Sequence, residues 1–256
     1  MAACSTLLGP PKAGDRVEKV IVAFFEYLRQ RGLPSLDNYL SIDFECTITK
    51  PKLMKEFGYT MVHNRKVIKQ GSLVINWVDH PQVNYRWLKS AIQAEYRHLG
   101  GTSVTLDDMV SRGKMPENAV HSILQLLRST TSRGYYLVGQ NMMGLDRRLL
   151  KQHAETLLGD EYDFPENLVV DMGCLYKASQ LPTQVLPRPT ESLRDYFGRV
   201  AHIYAPGVRW SLPTCLQALN LKFDINRMHG AEYDSFCCSS ALEALRDRYC
   251  GVGSSE

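Results

Sequence analysis

Tyr39-Leu40-Ser41-Ile42-Asp43-Phe44-Glu45-Cys46-Thr47 reads as an apolar strand that carries two acids two residues apart. Side chains alternate along a strand, so Leu40, Ile42 and Phe44 share one face while Asp43 and Glu45 share the other. The apolar flanks suit a strand inside a sheet. Ionised carboxylates buried there are costly unless cations or protons compensate them. A chain holding such a strand has to build a sheet around it and bring compensating charge to one of its faces. The competing reading is an edge strand with a solvated acidic face.

Hydrophobic spacing places the remaining elements. A helix opens near Asp15, with Glu18 in a capping-box-like position, and Val17, Val20, Ile21, Phe24 and Leu28 recur at helical intervals up to Gly32 and Pro34. It precedes the acidic strand and reads as a helix added to the domain, with a protein-partner helix as the sharper alternative. Tyr59 to Trp77 reads as a hairpin turning near Asn64-Arg65, with Val67 to Trp77 as its return strand. Helices are predicted over 85–99, 116–127, 145–158, 211–219 and 231–249, with a short turn over 105–109. Short buried strands are predicted over 135–139 and 168–171. Pro182, Pro187, Pro189, Pro206 and Pro213 interrupt residues 179–213 around one helix near 191–200, as in an insertion or a lid. Strands first and helices in alternation predict an α/β fold, a mixed sheet flanked by helices on both faces. The domain is expected over 38–250, after an N-terminal extension over 1–37 whose first 14 residues fray, and before a flexible tail over 251–256.

Composition excludes little. The 256 residues carry a net charge of +3, too small to mark a nucleic-acid partner by itself, so any polyanion would need a local patch. The seven cysteines are odd in number and form no C-x-x-C pair, which predicts neither a disulfide framework nor a zinc knuckle and suits a reducing, intracellular compartment, cytoplasmic or nuclear. No secretory signal and no membrane span are visible, so no membrane partner is expected.

Three more groups bear on the acidic strand. Asp146 falls in the first turn of its helix, with Arg147 and Arg148 after it. His229 and Asp234 stand five apart in His229-Gly230-Ala231-Glu232-Tyr233-Asp234. Five residues rotate an ideal helix by about 500°, leaving side chains roughly 140° apart. If Asp234 is helical and faces the other acids, His229 therefore belongs on the preceding loop, where Gly230 eases the break. Each group alone has an ordinary explanation: a helix-dipole partner for Asp146, a capping or surface residue for His229. Four carboxylates converging on one point repel unless hard cations lie between them, and a histidine beside them can take a proton from water.

Taken in order, these segments resemble the motifs of the DEDDh (DnaQ-like) 3′–5′ exonucleases, a family with an RNase H-like fold. Asp43-Phe44-Glu45 resembles the first motif, and His229, Ala231 and Asp234 resemble the third, H-x-A-x-x-D. Val67 to Val74 resembles the family's second strand, Val169-Val170-Asp171 its V-[IV]-D strand, and Ser211-Leu212 with Leu216 and Leu219 the helix before the last motif. The second motif departs from the proofreading pattern, because Gln140 stands in place of its histidine and Asn141 lies five residues before Asp146. The stretch from Asn141 to Leu150 is more similar to that of oligoribonucleases, which tilts the substrate toward RNA or short oligonucleotides.

The resemblance implies that Asp43, Glu45, Asp146 and Asp234 bind two Mg²⁺ or Mn²⁺ ions and that His229 is the general base. It further implies hydrolysis from the 3′ end of single-stranded RNA or DNA, releasing nucleoside 5′-monophosphates. Phe44 would contact the terminal nucleotide, or be a core residue. Asn141 would contact substrate, or cap the next helix. Arg147 would meet a phosphate, or merely line a solvated helix face. The alternatives are a catalytically silent nucleic-acid-binding module of this fold and an RNase H-type metal endonuclease, and the latter lacks the H-x-x-x-x-D ending.

Overall fold

The computed structural model describes residues 13–99 and 104–250. The expectations for residues 1–12 and for the tail over 251–256 lie outside the described residues. Five strands, β1 (Tyr39–Cys46), β2 (Met54–His63), β3 (Lys66–Val74), β4 (Tyr136–Gly139) and β5 (Val169–Asp171), form one sheet in the order β3-β2-β1-β4-β5. The hairpin pairs are antiparallel, whereas β1–β4 and β4–β5 are parallel. Nine α-helices flank the sheet among the described residues: α1 (Ala13–Gln30), α2 (Tyr85–Leu99), α3 (Leu106–Arg112), α4 (Pro116–Thr131), α5 (Asp146–Leu158), α6 (Met172–Gln180), α7 (Leu193–His202), α8 (Leu212–Ala218) and α9 (Ala231–Cys250). The architecture is the mixed α/β layer expected from the sequence.

The acidic strand is the centre of this sheet, with β2 on one side and β4 on the other. Both of its faces are covered, and Tyr39 to Ile42 are fully buried. The Tyr39 hydroxyl meets Ser239 Oγ of α9 at 2.9 Å, so the odd-numbered face of β1 looks toward α9. By alternation Leu40 and Ile42 look the other way, to the side where α4 packs on β4 and α5 packs on α4. The acids therefore share their face with α9. At the hairpin, Asn64 and Arg65 take φ of 48° and 62°, the two positive values that a type I′ turn requires.

Several elements differ from the sequence expectation. Strand β2 begins at Met54, five residues before Tyr59, because Lys55 and Glu56 are buried inside the sheet rather than placed in a solvated loop. Strand β3 ends at Val74 rather than Trp77. The turn after Val104 is the helix α3, opened by a reciprocal Thr105–Asp108 capping box. Helix α6 was not expected at all: Met172 to Ser179 are all buried, so no apolar stripe marks it. Helix α1 already includes Ala13 and Gly14, which were expected to fray.

Helix α1 buries Val20, Ile21, Phe24 and Leu28 and packs on α6 and α9, with the Phe24 and Phe197 rings 5.7 Å apart. Its apolar face is thus spent within the chain, and the partner-helix alternative finds no support there. The Pro-rich stretch is anchored through α7, which buries Leu193, Tyr196, Phe197 and Val200 against α6 and β5. No helix among the described residues is long and apolar enough to cross a membrane. All six described cysteines are free.

Candidate metal centre

Asp43 and Glu45 lie near the end of β1, paired across the ladder with Gly58 and Glu56 of β2. Gly58 is needed there. A Cβ at this position would stand 1.9 Å from the carbonyl carbon of Ala231, so the first residue of α9 rests directly on the β2 backbone. This close approach sets the first turn of α9, and with it Asp234, against the acidic face of β1. Glu56 anchors the same helix end by accepting a hydrogen bond from the Ala231 amide at 3.2 Å.

His229 lies on the loop before α9, as expected, but the strained residue is His229 itself, at φ 66°, rather than Gly230. Its amide donates to Asp234 Oδ2 at 3.1 Å, and its ring Nδ1 stands 4.0 Å from Glu45 Oε1. One ligand atom each from Glu45, His229 and Asp234 lies within 4.8 Å of the other two. The His229 side chain remains 58% exposed, so it is open to an incoming molecule.

Asp146 enters as the first residue of α5 and is buried. The loop before it is held by Asp171 at the end of β5, whose carboxylate accepts from the amides of Asn141 (3.0 Å), Met143 (2.9 Å) and Cys174 (2.9 Å). Asn141 sits at φ 57° in this loop. It does not cap α5, whose N-cap is Leu145 and has no side-chain cap; the backbone carbonyl of Asn141 instead receives the amides of Gly144 and Leu145.

Charge confirms the convergence. Burial first, and then the charges of Asp234 and Glu56, push the Asp43 carboxyl well above its usual range. Burial and Asp43 do the same to Glu45, against the opposing pull of Lys55. Asp146 is raised by burial and by Asp43, Asp171 and Glu45. Asp234 is raised to about 7 by burial, opposed by the His229 amide and reinforced by Glu56. Asp146 Oδ2 and Asp234 Oδ1 are buried and accept no hydrogen bond. Such orphaned acceptors are rare in native proteins. An all-carboxylate set with unmatched oxygens fits hard cations such as Mg²⁺ or Mn²⁺.

The structure thus brings Glu45, His229 and Asp234 within ligand distance of one another, and sets Asp43 beside Glu45 and Asp146 near enough for their charges to act on each other. The three expected substrate contacts fare differently. The Phe44 side chain is buried against the Phe57 ring, centroids 5.0 Å apart, in the core. Arg147 is locked in a two-pronged pair with Asp163, both contacts at 2.6 Å, which takes it away from the role of a free phosphate contact. Asn141 does line a cleft of about 690 Å³ with Gln140, Arg209, Trp210, Thr214, His229 and Asp234. Sequence reasoning missed Glu56, Lys55 and the anchoring role of Asp171. Only Asp171 left a signal, as the acid that closes the apolar strand Val169-Val170-Asp171. Lys55 is fully buried and paired with Glu95.

No protein-family model and no curated protein sequence matches the chain. Solved structures do. A zinc-bound complex of E. coli exonuclease I with single-stranded DNA superposes with a TM-score of 0.58 at 16% identity, covering 84% of this chain and 41% of that one. An exonuclease I structure bound to product gives 0.54 at 14%, over 83% and 44%. A complex of exonuclease I with an SSB C-terminal segment gives 0.56 at 14%, over 84% and 42%. The present chain spans about two fifths of the length of those proteins. The likeness establishes the fold, a mixed sheet flanked by helices as in exonuclease I.

Proposed function

We propose that this chain is a metal-dependent 3′–5′ exonuclease acting on single-stranded nucleic acid and releasing nucleoside 5′-monophosphates. The observation that carries the reading is the convergence of four carboxylates that repel one another, with orphaned oxygens on Asp146 and Asp234 and with His229 at their edge. Asp43, Glu45, Asp146 and Asp234 are the groups that would hold the two Mg²⁺ or Mn²⁺ ions. When bound, the ions supply a clamp for the negative charge of the scissile phosphate. His229, exposed and at the mouth of the cluster, takes the proton of the attacking water in its neutral form. The cleft beside it, with Arg209 and Trp210 in its wall, holds the terminal nucleotides by charge and by stacking. Phe44 contributes through its backbone at most.

Polarity toward the 3′ end is what the resemblance of the motifs around Asp43, Asp146 and His229 implies, and a single-stranded substrate is supported by the fold shared with exonuclease I, structures of which hold single-stranded oligonucleotides. His229 beside Glu45 favours this reading over an RNase H-type endonuclease. The test is digestion of matched 5′-labelled DNA and RNA strands, single and double, with Mg²⁺ or Mn²⁺. Stepwise shortening from a free 3′ end is expected, with resistance when that end is blocked. Cutting of a circular strand would overturn the reading in favour of an endonuclease. No cutting of any strand would leave a silent binding module.

A further inference from the structure

Tyr204, at 89%, is the most exposed of the large apolar and aromatic residues described. It stands just before Ala205-Pro206-Gly207-Val208, where Pro206 and Gly207, the latter at φ 82°, occupy the two central positions of a type II turn. The Val208 amide closes the turn by donating to the Ala205 carbonyl at 3.2 Å. A tight turn brings its two arms together, so Tyr204 on one arm is carried back toward Arg209 on the other. Trp210 follows Arg209. Its carbonyl accepts from Gln140 Nε2, and its ring centroid lies 4.8 Å from the Nζ of the buried Lys177. Arg209 and Trp210 line the cleft beside His229 and Asp234. Tyr204 lines a second hollow of about 320 Å³, with Leu181, Val185 and Ile203. Val208 lines both, so cleft and hollow meet at the turn. Apart from Asp234, neither lining contains an acid. Among the described residues Arg209 makes no ion pair and the Tyr204 ring no hydrogen bond.

We infer that this turn carries a second nucleotide subsite, in which a base of the bound single strand stacks on Tyr204 and a phosphate next to it meets Arg209. The inference rests on the nuclease reading, which sets the 3′ end of the strand at the acids and so gives Tyr204 a nucleotide on the 5′ side of it. Aromatic rings open to water beside a cation are what a single strand needs, because every base has a face to stack and every link a charge to meet. The hollow adds apolar surface under the base and no negative charge to repel the backbone. The Pro-rich stretch thereby acquires a task, as the wall along which the strand leaves the metal centre.

Fluorescence anisotropy of a short 5′-labelled single strand in Ca²⁺ tests this. Tyr204→Ala should weaken binding about tenfold, within the range for one lost stacked base. Tyr204→Phe should bind as the wild type does, because stacking needs the ring and not the hydroxyl. Arg209→Gln should flatten the dependence of log affinity on log salt by about 0.7, the share of one phosphate on a single strand. At its exposure Tyr204 holds no core together, so Tyr204→Ala should melt with the wild type. A single abasic residue moved along the strand then locates the subsite. At one position on the 5′ side of the terminal nucleotide it should weaken wild-type binding about as much as Tyr204→Ala does, and should add nothing in that variant. Wild-type affinity in Tyr204→Ala, an equal loss in Tyr204→Phe, or an abasic cost that is the same in variant and wild type at every position overturns the inference. If the abasic position is found but no strand is digested with Mg²⁺, the nuclease reading alone falls; if strands are digested and Tyr204→Ala changes nothing, this subsite alone falls.

Discussion

Two acid-rich regions of this molecule obey opposite rules. Around α5 and α7, Asp163 faces Arg147 and Arg194, Glu166 faces Arg194, and Glu191 faces Arg199. Burial raises the Asp163 carboxyl, but the hydrogen bonds from Arg147 and Phe164 outweigh it and hold it below the usual range; Arg199 lowers Glu191 in the same way. At the end of β1 the acids face mainly each other, and burial with mutual repulsion drives them up. The first region is built to stay charged without help. The second is out of balance until something positive arrives, and that imbalance separates a site from ordinary surface electrostatics.

The largest effect should come from removing one acid of the unbalanced cluster. Asp43→Ala or Asp146→Ala should abolish nuclease activity while the metal-free protein melts at the same or a higher temperature, because one repelling charge is gone. Full activity in either variant would remove the site assignment. His229→Ala should lower turnover by roughly 10²–10⁴-fold, the usual reach of general-base catalysis, with single-strand affinity in Ca²⁺ little changed. The wild-type rate should climb with pH as imidazole loses its proton. If the variant keeps both the wild-type rate and that climb, His229 is not the base.

A smaller effect concerns stability. In the metal-free protein Asp234 is raised to about 7, whereas an unfolded Asp titrates near 3.9. The folded chain therefore holds more protons than the unfolded one between these values. Stability from this group is full below about pH 4 and is lost as pH rises through about 7. Melting in EDTA should shift downward between pH 5 and pH 8, and Mg²⁺ should raise the melting temperature more at pH 8, where its ligands are ionised. A melting temperature in EDTA that stays flat or rises over this range would contradict a net-repulsive cluster. The smallest effect belongs to the balanced region. Asp163→Asn should cost about 1 kcal/mol or less in a urea melt, as partly exposed ion pairs do, and should leave activity in place.

The same contrast explains what the sequence made legible. Strand β1 was readable because its acids interrupt an apolar run, and α5 and α9 were read as helices with Asp146 and Asp234 in their first turns. The loop position of His229 followed from helix geometry. What escaped was buried polarity and complete burial. Lys55 and Glu56 look solvated in sequence yet lie inside β2, and α6 shows no stripe because every side of it is covered. Arg147 looked available because its partner Asp163 lies 16 residues away, across the turn that ends α5.

The contact at Gly58 acts like a mechanical stop. Helix α9 comes to rest where its main chain meets the main chain of β2, and no side chain stands between them to be trimmed or swollen by substitution. The gap between Asp43 and Asp234 is therefore gauged by parts common to every amino acid. Residues farther along α9 can drift in sequence, loosening or tightening the helix body, while the spacing offered to a cation keeps the same tolerance.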